Sequence, residues 1–207
     1  MSKAVVLARP IKPEWMNMTA ELLAENREDM DKIKDSINEY ISHFIKSSIN
    51  IRKTREILVN TWVEVDSDNL EFRERALKVY KECPQTDRPA VHWAMMLMAF
   101  PVFRDLCTIV GKLSGMQEEV TLSQVQRRIY EIWGERNTLV HAIPKNIKTL
   151  KEFGALKQVK PGVYRVVRRT VEDKDVGCIL LYAALKTGGK LYQSVSEIDR
   201  LKELFPF

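Results

Sequence analysis

The side chains best placed to do chemistry in this chain are cations. Arg127, Arg128, Arg136, Lys145, Lys148, Lys157, Lys160, Arg165, Arg168 and Arg169 fall between residues 121 and 170, a stretch with 11 Lys and Arg against 3 Asp and Glu. Residues 1 to 120 carry 17 against 19, and residues 171 to 207 carry 5 against 6, so the positive excess of the chain is made in those fifty residues. Such a concentration of charge is the electrostatic footprint of a polyanion-binding surface, where ammonium and guanidinium groups neutralise phosphates and release their counterions. Asn137, Thr138 and His141 lie among the cations and add hydrogen-bonding groups that can meet phosphates or base edges.

Bond-making chemistry finds less support. His43, His92 and His141 stand about fifty residues apart, with no HxxxH or HxE spacing to set two metal ligands on one helix face. His92, beside Trp93, reads as an interior histidine. The string LKTGGKLY, Leu185 to Tyr192, looks superficially like a phosphate loop. It has Leu191 where a P-loop needs Ser or Thr, and it lacks the earlier glycine, so it reads as a surface turn. The Lys-Thr-Gly within it has no Ser-x-x-Lys partner elsewhere. The acidic pairs read as caps and solvated faces. The sequence therefore predicts a protein without a catalytic site, metal or cofactor.

The elements that would position the cations can be read from the spacing around them. Thr121 and Gln124 match a capping box, in which the two side chains answer backbone N–H groups at a helix start. From there Val125, Ile129 and Ile132 are expected to face inward, with Gly134 ending the helix. After a short turn, Asn137 is expected to cap a second helix, with Val140, Ile143, Ile147 and Leu150 as its apolar stripe and His141, Lys145 and Lys148 turned outward. Pro144 falls inside this helix and is expected to kink or split it.

Two short β-prone runs follow, Leu156 to Val159 and Val163 to Val167, around Lys160-Pro161-Gly162. Proline presets φ and glycine accepts a positive φ, so the segment predicts a hairpin. A helix, a glycine turn, a second helix and a basic hairpin together predict a winged helix-turn-helix that binds double-stranded DNA through its backbone, with weak sequence specificity. Winged helices also serve as protein docking modules, so the alternative is an adaptor or scaffold subunit that uses the same surfaces without nucleic acid.

The rest of the chain predicts a mostly α protein: a helical body over 1–100, the winged helix over 101–170 and a C-terminal helical extension over 171–207 packing on the body. Helices are expected from Thr19 to about Lys46, Ile51 to about Val63, Leu70 to Cys83, a buried one over Val91 to Phe100, and one from Pro101 to Leu113. The final helices are expected over Val176 to Leu185 and Ser194 to Phe205. Cys83, Cys107 and Cys178 lack any paired spacing and predict buried or half-buried thiols in a reducing compartment. The longest apolar stretch, Ala90 to Phe103, falls short of the roughly 20 residues of a membrane span, and the first residues make a poor secretory signal. A cytoplasmic location without membrane contact is expected.

From about Leu70 to Val167 the sequence resembles the BrxA-like small accessory proteins of BREX phage-defence systems. The resemblance rests on HWAMMLMAFPVFRDLCTIVGKL, then QVQRRIYEIWGERNT, then LKEFGALK. It implies a helical DNA-binding component of a defence operon, without catalysis of its own and with other defence-system proteins as partners.

Overall fold

Asn26 and Asp29 divide the helix expected from Thr19 to about Lys46, whose apolar stripe in the sequence is Ile33, Ile37, Tyr40, Ile41, Phe44 and Ile45. In the computed structural model, which describes residues 6–27, 29–189 and 194–207, α1 spans Pro13–Glu25 and α2 spans Met30–Ser42. Asn26 closes α1, and the Asp29 carboxylate accepts from the N–H of Lys32 to start α2. The stripe itself is right for Ile33, Ile37 and Ile41, which are buried, but Phe44 lies beyond the helix end and is exposed. α3 (Ser48–Trp62) follows, then a 3-10 turn at Ser67–Asn69 and α4 (Leu70–Glu82).

The most apolar segment lies at the centre. α5 (Arg88–Ala99) buries every residue from Ala90 to Leu97, its methionines Met95 and Met96 included, and packs against α1, α3, α4 and α9 (Lys174–Thr187). Pro101 opens α6 (Pro101–Ser114), and the chain turns by 118° between α5 and α6. Among the described residues, no single helix is long and apolar enough to cross a membrane.

The basic stretch folds into α7 (Leu122–Trp133), α8 (Asn137–Glu152), β2 (Leu156–Lys160) and β3 (Val163–Val166), preceded by β1 (Glu119–Thr121). The three strands form an antiparallel sheet in the order β1-β3-β2, with Val120 opposite Tyr164 and Lys157 opposite Arg165. Gly162, at φ +73°, makes the predicted Pro-Gly turn, and its carbonyl accepts from Leu122 N–H at 2.8 Å, which ties the hairpin to the start of α7.

Trp93 of α5 is a hub for the distant end of the chain. Its ring lies 5.4 to 6.4 Å from those of Phe103, Phe153, Phe205 and Phe207. Its indole N–H donates to the carbonyl of Glu203 at 3.0 Å. The residues after Ser194 thus pack back on the core, but as 3-10 turns at Val195–Arg200 and Lys202–Leu204 instead of the α-helix expected there. Gly111 permits the approach, because a Cβ built on it would stand 2.0 Å from the carbonyl oxygen of Lys202.

Cys83 and Cys107 are buried as expected, whereas Cys178 sits on the outward side of α9 and is exposed. His92 is a satisfied interior residue: its Nδ1 accepts from Trp62 Nε1 at 3.2 Å and its Nε2 donates to Asn17 Oδ1 at 2.8 Å. Burial, reinforced by Arg88, depresses its pKa to about 3, which keeps the ring neutral. Of the phosphate-loop look-alike, Lys190, Leu191 and Tyr192 lie outside the described residues.

A candidate nucleic-acid interface

The capping box at Thr121 forms as the sequence predicts. Thr121 Oγ1 accepts from Gln124 N–H at 3.2 Å and Gln124 Oε1 accepts from Thr121 N–H at 2.9 Å. Val125 and Ile129 face the core, but Ile132 is 59% exposed. Trp133 takes the inward place at that end of α7, where its indole N–H donates to Asp105 Oδ2 of α6 at 2.9 Å. Gly134, at φ +73°, then turns the chain. Arg136, not Asn137, is the N-cap residue of α8, and Asn137 is its first helical residue.

α8 is committed on two sides. Leu139, Ile143, Ile147 and Leu150 are buried on the side of α8 that packs on α6, α7 and β2, with Leu139 taking the place expected for Val140, which is only half-buried. Ala142, Asn146 and Thr149 are also buried, on an adjacent face. There the leader, residues 6–12 ahead of α1, crosses: Asn146 Nδ2 donates to the carbonyl of Leu7 at 3.1 Å, and Ile11 N–H donates to Thr149 Oγ1 at 3.0 Å.

What remains is one strip. At 100° per residue, Asn137, His141, Pro144 and Lys148 fall within about 60° of arc, and all four are exposed. The helix runs unbroken from Asn137 to Glu152. Pro144 lies on the open side, so the carbonyl of Val140 that loses its helical partner can turn to water, and the helix is not split there.

Cations flank the strip on both sides. Lys145 and Lys151 stand about 60° to either side of Lys148. Lys151 Nζ reaches Gln158 Oε1 of β2 at 2.6 Å, which sets the hairpin along that edge; Lys157 and Lys160 of the same strand are exposed. Lys145 stands on the leader side and is half-buried. Burial lowers its pKa from the ordinary value, and the like charges of Arg9 and Lys53 lower it further.

The predicted cations divide into three groups. Among the described residues, Arg127, Arg136, Lys145, Lys148, Lys157 and Lys160 have no ion-pair partner. Arg128 is paired with Glu131 at 3.1 Å, and Arg165 with Glu118 and Glu119 at 3.5 and 3.4 Å. Arg168 and Arg169 have no ion-pair partner among the described residues either, but each also donates at 2.6 Å to a carbonyl, of Phe205 and Phe153 respectively, which ties them to the fold. Thr138 is exposed in the first turn of α8, off the strip.

Three contributors have no counterpart in the sequence reading. β1 is only three residues long and carries no periodic signal. Arg9 and Lys53 lie far from the basic stretch in the chain; the leader's path along α8 brings Arg9 to Lys145, and the Arg9 bond to Asn50 marks where α3, with Lys53, joins them. Among the described residues, no group of three His, Cys, Asp or Glu side chains is placed to hold a metal ion. Compared with known proteins, the chain matches no protein family, no curated protein and no solved structure.

Proposed function

We propose that residues 101–170 form a winged helix that binds double-stranded DNA, with α8 as the recognition helix and the β2–β3 hairpin as the wing, in a protein without catalytic activity. The order helix, strand, helix, helix, strand, strand, with the sheet ordered β1-β3-β2, supports the winged-helix reading.

The observation that carries the binding reading is the exposed strip of α8, which contains Lys148 and lies beside the hairpin that bears exposed Lys157 and Lys160, with no carboxylate paired to any of the three among the described residues. Phosphate contacts of this kind position a duplex without reading its sequence, so specificity is weak. The resemblance to the BrxA-like accessory proteins implies the same activity, and the residues argue for it independently.

Titration of the full chain against a labelled duplex at several salt concentrations tests the reading. If about five phosphates are neutralised, log affinity falls against log salt with a slope of about −4 to −5. No binding to duplex at low salt overturns it. That result would favour the adaptor, for which the 59% exposed Ile132 and the 48% exposed Val159 offer apolar anchors on the same module.

A further inference from the structure

Arg9 is pinned beside α8 by its neighbours in the chain. Leu7 and Ile11, two residues to either side, bond to Asn146 and Thr149, so the leader holds Arg9 level with the stretch of α8 that begins at Lys145. The guanidinium is fixed as well: Nε and Nη2 both donate to Asn50 Oδ1 in the first turn of α3, and Nη1 donates to the carbonyl of Ala8 at 3.0 Å. Three of its five N–H groups are thereby engaged, which leaves two to donate elsewhere. Lys53 stands one turn beyond Asn50 on α3.

Three elements, the leader, α3 and α8, thus bring three cations together, and none of the three has an ion-pair partner among the described residues. Like charges held close oppose folding, so the fold does not gain from this convergence. The group borders the exposed strip of α8 on the side opposite the hairpin. Its place and its sign match those of the hairpin lysines at the other edge.

We propose that Arg9, Lys53 and Lys145 form a second phosphate-contacting patch, which holds the sugar-phosphate backbone of the same duplex on the flank of α8 away from the hairpin. The assignment rests on the DNA-binding reading above. It adds the N-terminal body to the interface, so α8 would lie between two rows of phosphate contacts.

The test is salt-dependent binding of a labelled random-sequence duplex by the full chain, by Lys53→Gln and by Lys53→Gln with Lys145→Gln. The expected result is a slope less steep by about one for the single variant and about two for the double. Thermal stability should be unchanged or higher, since repulsion is relieved. Lys53→Arg should keep the slope of the unaltered chain. Lys53 lies on α3, outside the helix pair and the hairpin, so its effect on the slope cannot arise from α8 itself.

An unchanged slope in both Gln variants, with the unaltered chain binding duplex, overturns the second patch and leaves the proposed function standing. A loss of affinity without a change in slope also overturns it, because a phosphate contact must release counterions. Failure of the unaltered chain to bind any duplex at low salt overturns the proposed function, and this assignment with it.

Discussion

Thr149 holds Ile11 across 138 residues of sequence: its hydroxyl oxygen accepts the backbone N–H of Ile11 at 3.0 Å while its proton goes to the carbonyl of Lys145 at 3.2 Å. One hydroxyl thus serves both its own helix and the leader. This bond and the Asn146 to Leu7 bond decide which faces of α8 are closed and which side chains are left at the surface.

Thr149→Val should therefore destabilise the fold by about 1–3 kcal/mol, because it keeps the shape but leaves the buried N–H of Ile11 without an acceptor. Thr149→Ser should recover most of the loss. Urea unfolding checks both. Equal stability of the Val variant and the unaltered chain would mean that the leader is not held by this bond.

Gly111→Ala should displace the C-terminal turns. The added methyl would stand 2.0 Å from the Lys202 carbonyl oxygen and 2.9 Å from Phe205 Cβ, and the nearer contact is with backbone, which cannot swing aside. A cost of about 1–3 kcal/mol or more is expected from overpacking. Faster hydrogen exchange at residues 201–207 would show where the strain is released, and unchanged exchange would contradict the contact.

His92 should make the protein acid-sensitive. Its pKa is depressed to about 3 in the fold against about 6.5 in the unfolded chain, so between these values the unfolded chain binds a proton that the folded one excludes. Stability is fully present above pH 6.5 and is lost as pH falls towards 3, by about 1.4 kcal/mol per pH unit. His92→Gln, which keeps hydrogen-bonding groups without a titrating ring, should flatten this part of the profile. The difference between the two profiles over pH 6.5 to 4 measures it, and parallel profiles would refute it.

The cations of the hairpin region should separate into binders and builders. Lys157→Ala with Lys160→Ala should reduce the salt slope of DNA binding by about two and leave stability within about 0.5 kcal/mol. Arg168→Ala with Arg169→Ala should lower stability instead, because two carbonyls lose their charged donors. The two variants, compared by melting and by duplex titration, should each move a different quantity. Equal effects of both on the salt slope would remove the distinction.

Side chains with a local partner were legible in the sequence. Thr121 and Gln124 are three residues apart, and Pro161-Gly162 encodes its own turn, so capping box and hairpin could be read directly. Ile132 was misread because helical spacing shows which residues share a stripe but not where the stripe meets a neighbour; Trp133 reaches Asp105 and takes the inward place. The structural bonds of Arg168 and Arg169 were not legible, because the acceptors are backbone carbonyls, which carry no residue type. Arg9 and Lys53 were invisible for a related reason: their closeness to Lys145 depends on a crossing set by Leu7 and Ile11, and charge counted along the chain cannot register it.

The anchorage of Trp93 has a consequence for how the protein is made. Its indole waits for Glu203, Phe205 and Phe207, which are synthesised more than a hundred residues later. At a translation rate of about 5–20 residues per second, that gap amounts to roughly 5 to 20 seconds during which the apolar centre of the nascent chain is open on one side. The centre of the body is therefore closed only after residues 203–207 have been added and have folded back on Trp93.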